Sequence, residues 1–243
     1  MTVILLRHGV STSNVARTLA GRSEGVELTE RGQEQARAVA DRLAQLPITE
    51  IVSSPLLRCR QTVAPLAEKL SLELVVEDRF AEVDYGEWTG RELKELVQEP
   101  LWKVVQQHAS GAVFPGGEGL ANVQSRAVAA IREHDGRVAQ RDGADALWLV
   151  CTHGDVIKAV LADALGIHLD GFQRIVAEPA SISVVRYTPT CPFVWRVNDT
   201  GVDLSALMPK PADIRSVPGG EVNTDSSADN GIDKQRREQQ QAQ

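Results

Sequence analysis

Short apolar runs alternate with segments of helical periodicity, and this alternation most constrains how the 243-residue chain can fold. Residues 2–6 are β-branched or aliphatic throughout, and residues 147–151 are similarly apolar. Both runs are too short for an independent helix, so we expect buried strands. Between them, residues 29–46 place apolar side chains at helical spacing behind a Thr29 cap and end before Pro47. This order is typical of βαβ units and predicts an α/β fold with a mostly parallel central sheet.

The same alternation continues to about residue 200. We expect Pro65 to kink or divide the helix that contains it, because proline lacks a backbone donor. A helix is predicted over residues 91–107 despite Pro100, followed by a loop over residues 109–119. The other predicted elements are helices at residues 56–70, 121–140 and 156–165, strands at 50–53 and 72–76, and a closing hairpin of 182–187 with 193–197.

Polar side chains follow the apolar runs at the strand ends where parallel sheets bind ligands. Arg7-His8-Gly9 ends the first run, and Thr152-His153-Gly154 ends the run near residue 150. Arg58 follows a Ser-Ser-Pro sequence after the second predicted strand, and Glu82 precedes a Gly-x-Trp-x-Gly segment. An imidazole can attack phosphorus, and guanidinium groups bind phosphate oxygens with paired hydrogen bonds. Two imidazoles, two guanidinium groups and one carboxylate therefore suit phosphoryl transfer.

These four motifs, in this order, resemble those of the histidine phosphatase superfamily, which includes phosphoglycerate mutases and many acid phosphatases. The resemblance runs from Met1 to about Leu207 and is greatest to an actinobacterial branch of phosphatases and phosphomutases. It implies a three-layer α/β/α sandwich of the phosphoglycerate mutase type. It also implies a metal-independent reaction on a small phosphorylated substrate, with no cofactor, and leaves open a homodimer or higher oligomer.

The resemblance assigns roles to the strongest matches. His8 would be the nucleophile that forms a phosphohistidine, with its other ring nitrogen held by a backbone carbonyl such as that of Gly9. Gly9 would also leave room for the phosphoryl group, because it has no side chain. Arg7, Arg58 and His153 would bind the phosphoryl oxygens.

Glu82 is the candidate proton donor to the leaving alcohol, and later the base that activates water. An ordinary carboxyl group is ionised at neutral pH, so burial or the approaching phosphate must raise the pKa of Glu82. Asp84 and Glu87 are nearby rivals for this role, but Glu82 occupies the position that matches the family.

The remaining candidates carry weaker signals. Asn14 is assigned to phosphate binding, but Asn14 and Ser11 could equally cap a local turn. Arg22 and Tyr85 could border the substrate pocket, and an aromatic side chain there is as readily explained by packing. Asp155 departs from the family, which often has glycine at this position.

Four functions compete for these residues. The leading hypothesis is a phosphatase, because residues 85–91 resemble the phosphatase form of this segment more than the mutase form. A phosphomutase would use the same phosphoenzyme but return the phosphoryl group to a bound hydroxyl. A phosphoryl-binding scaffold without activity is disfavoured because the five core residues are present. A metallohydrolase lacks the HxH or HExxH spacing that anchors zinc.

Composition narrows the setting in which the chain works. A formal net charge of −7 argues against a nucleic-acid platform. Three cysteines without CxxC spacing argue against a disulfide framework and favour a reducing, cytoplasmic setting. No stretch has the roughly 18 apolar residues of a membrane span, so no membrane partner is expected.

From residue 208 to residue 243 the composition changes to Pro, Gly, Ser, Asp and Gln, with few large apolar groups. Such a segment cannot bury enough apolar surface to offset its chain entropy. We therefore expect one catalytic domain over residues 1–207 and a disordered tail over residues 208–243.

If this division is right, truncation after Leu207 should leave both folding and chemistry intact. The thermal midpoint and kcat/KM of the truncated chain should equal those of the full chain within experimental error. A marked loss in either quantity would show that the tail docks on the domain.

Overall fold

The computed structural model describes residues 1–201, so the predicted tail at 208–243 lies outside the described residues. The described residues form a central six-stranded sheet with the strand order β3-β2-β4-β1-β5-β6. Neighbouring strands among the first four pair in parallel, and β5 pairs antiparallel with both β1 and β6. The mostly parallel sheet and its closing hairpin are therefore confirmed. The strands are β1 (Thr2–Arg7), β2 (Ile48–Ser53), β3 (Leu74–Val76), β4 (Leu147–Thr152), β5 (Ile182–Tyr187) and β6 (Pro192–Asp199).

Helices cover both faces of this sheet, as the three-layer prediction requires. The α-helices are α1 (Thr12–Ala16), α2 (Glu30–Leu43), α3 (Leu57–Leu70), α4 (Leu93–Leu96), α5 (Pro100–Gln107), α6 (Leu120–Asp142) and α7 (Gly154–Ala164). Ile4 and Leu6 of β1 belong to the apolar core shared with α2 and α3. Val3 and Leu5 belong to the other core, which contains α6 and α7. This split follows from the alternation of side chains along a strand. No helix within residues 1–201 is long and apolar enough to span a membrane.

Two predictions about proline differ from the structure in part. Pro65 does not divide α3, which runs unbroken through it, and a kink at Pro65 stays a prediction. Proline removes only one hydrogen bond from the helix, and the buried side chains of Val63 and Leu66 keep both halves packed against the sheet. Residues 91–107 do not form one helix, because α4 ends at Leu96 and α5 begins at Pro100. Proline suits the first position of a helix, where its missing N–H is not needed.

The start of α2 packs directly against the backbone that follows β1. Thr29 caps α2, as predicted, by accepting a hydrogen bond from the Gly32 N–H at 3.1 Å. A Cβ atom on Gly32 would lie 2.1 Å from the Val10 oxygen, and one on Gly9 would lie 2.7 Å from the Gly32 oxygen. The space beside Gly9 is thus filled by the backbone of α2. The missing side chain of Gly9 thus makes room for α2, and the further prediction that it leaves room for a phosphoryl group stays a prediction.

A methyl group at position 32 should therefore displace the segment that carries His8. We expect Gly32→Ala to lower the free energy of unfolding by about 1–3 kcal/mol, the usual penalty for overpacking. Chemical denaturation would measure this change.

Gly136→Ala is the matched control, because a Cβ on Gly136 in α6 meets no atom within 4 Å. This variant should be more stable than the parent by about 0.5–1 kcal/mol, since alanine favours helix. Equal effects of the two substitutions would contradict the packing argument.

Candidate active site

Five of the predicted site residues meet at the carboxyl edge of the parallel strands. β1 and β4 pair in a register that aligns Arg7 with Thr152, so His8 and His153 leave the sheet side by side. The backbone N–H of His8 donates to the Thr152 oxygen at 3.1 Å, and the two ring centroids lie 5.2 Å apart. Arg7, His8, Arg58, Glu82 and His153 are each no more than 2% exposed.

The ring of His8 is held in one tautomer. Its Nδ1 atom lies 2.8 Å from the carbonyl oxygen of Gly9, the acceptor suggested by the sequence. Because a carbonyl oxygen can only accept, Nδ1 must carry the hydrogen, and the lone pair then lies on Nε2. Burial and then the cations Arg58 and Arg7 lower the pKa of His8 well below its ordinary value. The ring is therefore neutral, as a nucleophile must be.

Thr62 of α3 orders the backbone around this histidine. Its hydroxyl accepts a hydrogen bond from the Gly9 N–H at 3.0 Å and donates one to the Arg58 oxygen at 2.7 Å. The peptide that orients His8 is thereby linked to the helix that carries Arg58. Sequence reasoning missed Thr62, because a threonine inside an amphipathic helix gives no signal of its own.

Arg58 and Ser54 bond the two ring nitrogens of His153. Arg58 Nη2 donates to Nδ1 at 3.2 Å, so the hydrogen lies on Nε2, which is 2.8 Å from the Ser54 hydroxyl. Burial, followed by Arg58, His8 and Arg7, lowers the pKa of His153 well below its ordinary value. This imidazole is therefore neutral within these contacts. Ser54 belongs to the Ser-Pro-x-x-Arg motif, but sequence analysis gave it no role.

The two arginines are buried cations with backbone anchors. Arg7 Nη1 donates to the Ala177 oxygen at 2.7 Å, and Arg58 Nη2 donates to the Gly21 oxygen at 2.8 Å. Arg58 Nη1 is buried without a hydrogen-bond partner among the described residues. A buried charged donor without a partner is costly, and an anion in the site would satisfy it. The site thus has the electrostatics to bind phosphate although the whole chain is acidic.

Of the three candidate acids Glu82, Asp84 and Glu87, only Glu82 is buried with the histidines. Its Oε2 atom lies 3.8 Å from His153 Nδ1, and its Oε1 accepts the Val83 N–H at 2.9 Å. Burial and the nearby Asp155 raise the pKa of Glu82 to about 7, against the opposing effect of Arg58. Asp84 instead accepts the Gly86 N–H at 3.0 Å, and Glu87 is exposed. Near neutral pH, Glu82 can therefore both donate and accept a proton.

Two arginines outside the phosphate site hold the backbone of Glu82. Arg22 Nε donates to the Glu82 oxygen at 2.9 Å, and Arg126 Nη2 donates to it at 3.2 Å. Both guanidinium groups also donate to Glu118 at 2.8 Å. Arg22 is therefore tied to the acid's own loop, and its predicted place in the substrate pocket stays a prediction. Arg126 and Glu118 were missed, because single charged residues on a helix or loop usually face solvent.

Ser11 and Asn14 form a capping box at the start of α1. The Asn14 side-chain oxygen accepts the Ser11 N–H at 2.9 Å, and the Ser11 hydroxyl accepts the Asn14 N–H at 3.4 Å. These contacts match the turn-capping alternative that the sequence left open. Phosphate binding by Asn14 stays a prediction.

Tyr85 is fully buried and makes the contacts of a structural aromatic residue. Its ring meets Phe114 edge-on at 4.9 Å between centroids, and its hydroxyl donates to Asp155 Oδ2 at 2.8 Å. Asp155 also lies 3.8 Å from the buried ammonium group of Lys158. The departure from glycine noted at Asp155 thus places a charged network beside the site, and a role of Tyr85 in the pocket stays a prediction.

The fourth hypothesis for these residues is a metallohydrolase. Within the part of the chain that the structure describes, no group of three or more His, Cys, Asp or Glu side chains is arranged to hold a metal ion. His8 has one ring nitrogen committed to Gly9, and His153 has both in hydrogen bonds.

Solved structures share the fold of this chain. A mycobacterial glucosyl-3-phosphoglycerate phosphatase, solved in complex with VO3, superposes with a TM-score of 0.74 at 25% identity and covers 81% of this chain and 98% of its own. A structure named mycobacterial hydrolase 1 superposes with a TM-score of 0.75 at 25% identity and covers 82% and 99%. These likenesses confirm the predicted fold.

Among proteins related in sequence, some are named phosphatases and others mutases. Phosphoserine phosphatase 1 of Hydrogenobacter thermophilus is 31% identical over 204 residues, which are 82% of this chain and 92% of that protein. The "Probable phosphoglycerate mutase GpmB" of Photorhabdus laumondii is 31% identical over 206 residues, which are 83% and 93%. The predicted placement in an actinobacterial branch stays a prediction. A model of the histidine phosphatase superfamily (branch 1) matches residues 3–200, and this chain therefore belongs to that superfamily.

Proposed function

We propose that the chain is a phosphatase that hydrolyses small phosphate monoesters through a phosphohistidine on His8. The observation that carries the proposal is the 2.8 Å contact between His8 Nδ1 and the Gly9 oxygen, which leaves a neutral Nε2 as the nucleophile. The names of relatives that act on phosphoserine, phosphoglycerate and glucosyl-3-phosphoglycerate support a small substrate.

In the first step, His8 Nε2 attacks phosphorus and the bond from phosphorus to the ester oxygen breaks. The protonated carboxyl of Glu82 gives its proton to the departing oxygen, so that an alcohol leaves and a carboxylate remains. The pKa of about 7 supports this role, since a substantial share of Glu82 is protonated at neutral pH.

In the second step, the Glu82 carboxylate takes a proton from water as the water oxygen attacks the phosphohistidine. The bond between nitrogen and phosphorus breaks, inorganic phosphate forms, and His8 is neutral again. One carboxyl group thereby acts as acid and then as base, because each step leaves it in the state that the next step needs.

The cations hold the transferring group during both steps. Arg7 and Arg58 are buried, so their attraction for the phosphoryl oxygens is weakly screened by solvent. The phosphate's negative charge raises the pKa of His153, which can then donate to a phosphoryl oxygen as the family resemblance implies. Preorganised donors of this kind act on the charge that develops in the transition state.

A phosphomutase is the second candidate, because one matched relative carries a mutase name. It would use the same phosphoenzyme and differ only in the acceptor. Offering sugar phosphates, phosphoglycerates and phosphoserine to the purified protein separates the two functions, because hydrolysis yields inorganic phosphate and a mutase yields an isomer. Activity that survives a chelator would argue further against a metallohydrolase.

Trapping the covalent intermediate tests the nucleophile. Brief mixing with a labelled monoester and an alkaline quench should leave label on His8, because phosphohistidine survives base and is lost in acid. Peptide mapping would locate the label. Normal phosphate release without label on His8 under single-turnover conditions would replace the proposal with direct attack by water.

Glu82→Gln tests the acid, because glutamine keeps the shape but cannot donate a proton at neutral pH. We expect kcat/KM to fall by on the order of 10²-fold for an alkyl phosphate and far less for nitrophenyl phosphate, whose phenolate leaves unaided. The decline in rate at high pH that Glu82 causes should also disappear. Equal losses on both substrates would point to an orienting role for Glu82, and an unaffected alkyl phosphate would transfer the acid's role to Asp84 or Glu87.

A further inference from the structure

A buried ion pair lies beside the site and has no part in the two steps above. Asp155 is the second residue of α7, and Lys158 follows one helical turn later. Both side chains are fully buried, with Lys158 Nζ 3.8 Å from Asp155 Oδ1 and 3.1 Å from the Gln173 amide oxygen. Buried ion pairs rarely add stability over apolar residues of similar size. The pair therefore calls for an explanation other than stability.

The contacts of Asp155 connect the two segments that carry Glu82 and His153. Tyr85 lies three residues after Glu82, and Asp155 lies two residues after His153. The bond from the Tyr85 hydroxyl to Asp155 Oδ2 at 2.8 Å therefore ties the loop of the acid to the start of α7. Because all of these groups are buried, the tie is shielded from competing water.

We propose that Asp155 is a positioning residue for Glu82: through its hydrogen bond with Tyr85 it holds the loop of the acid against the start of α7, and it adds a buried carboxylate to the charges around the acid. This inference rests on the proposed function, because it concerns the proton that Glu82 gives to the leaving oxygen.

The charges around Glu82 show why such a residue is needed. Arg7 faces it from β1, Arg58 from α3, and His153 from the end of β4 at 3.8 Å. Arg7 and Arg58 stabilise the ionised carboxylate, as does the hydrogen bond from the Val83 N–H. Burial and the charge of Asp155 on α7 act in the opposite direction and raise the pKa of Glu82 to about 7. The same arginines that bind phosphate would otherwise deprotonate the acid.

Lys158 and Tyr85 make the charge on Asp155 tolerable in the interior. The ammonium group and the hydroxyl both face the carboxylate, while Gln173 and the ring of Phe172, 5.9 Å from Nζ, surround the cation. A negative charge is thereby held near Glu82 without contact with solvent. In water the same charge would be screened and would act weakly on its neighbour.

The test is the pH dependence of kcat/KM for an alkyl phosphate, since kcat/KM reports the acid of the free enzyme. Asp155→Asn keeps an acceptor for Tyr85 but removes the charge, so the decline at high pH should move down by about one pH unit. A shift of that size makes kcat/KM about eight-fold lower at pH 7.5 but only about 1.3-fold lower at pH 5.5. Nitrophenyl phosphate should show little of this defect.

Asp135→Asn is the matched control. Asp135 is a half-buried aspartate on α6 whose carboxylate accepts the Trp148 indole N–H at 3.1 Å, and it has no contact with Glu82 or His153 among the described residues. The same chemical change there should leave the pH profile where it is. A shift in this control equal to that in Asp155→Asn would overturn the proposal.

Tyr85→Phe separates the effect of the hydrogen bond between Tyr85 and Asp155 from the effect of the Asp155 charge. This variant keeps the charge of Asp155, so the decline at high pH should stay in place. Loss of the hydrogen bond to Asp155 should lower kcat/KM several-fold for the alkyl phosphate and far less for nitrophenyl phosphate, because only the poor leaving group needs a well-placed acid. An equal loss on both substrates would indicate a general structural effect. Unchanged kcat/KM on both substrates would overturn the positioning part of the proposal.

Asp155→Asn removes the carboxylate that lies 3.8 Å from Lys158 Nζ, so a variant that replaces both members of the pair is needed if Asp155→Asn does not fold. The double variant Asp155→Asn, Lys158→Met replaces both charges and should show the same downward shift. A profile that coincides with the parent in the folded variant, or a loss equal at all pH values and on both substrates, would overturn the proposal.

Glu82→Gln in the same assay distinguishes this proposal from the proposed function. If Glu82→Gln loses the decline at high pH and Asp155→Asn does not move it, Glu82 is the acid and Asp155 does not tune it. If Glu82→Gln retains the decline, the assignment of Glu82 fails, and the inference about Asp155 fails with it.

Discussion

The parallel pairing of β1 with β4 is the interaction on which the rest of the site depends. Its register places Arg7 beside Thr152, and both strands end one residue before a histidine. Backbone hydrogen bonds fix this register over six residue pairs, so the two imidazoles have little freedom to move apart. The start of α2 then packs on the Gly9 backbone, and Thr62 of α3 holds the Gly9 N–H. A rigid sheet edge thereby becomes a preorganised site.

Burial gives the charges of the site their effect on one another. Burial, followed by Arg58 and Arg7, lowers the pKa values of both histidines, which keeps His8 neutral as the proposed nucleophile. The same cations favour ionised Glu82, and burial together with Asp155 offsets them. Phosphate binding and acid catalysis thus make opposite demands on the local potential. Placing cations and carboxylates on different elements around one small volume meets both demands, because Coulomb interactions in the interior are weakly screened.

The secondary structure could be predicted where one local cause dominated. Periodicity and capping alone predict three features correctly: the strands formed by the apolar runs, the Thr29 cap and the closing hairpin. Prediction failed where tertiary packing outweighs local preference. α3 continues through Pro65 because the apolar contacts on either side compensate for one lost hydrogen bond, and the helix predicted over residues 91–107 is two helices, of which the second begins at Pro100.

The sequence alone determined the residue types of the site, their order along the chain and the strand ends that carry them, because each motif follows a local apolar run. It also identified the family, since four motifs in one order are a specific signal. Only the tertiary structure decided which nitrogen of His8 is available, which of three neighbouring carboxyl groups is buried with the histidines, and that Asp155 accepts a hydrogen bond from Tyr85 in the loop of Glu82. These properties depend on distances between residues far apart in sequence and on exclusion of water. Neither exists until the sheet and its helices have assembled.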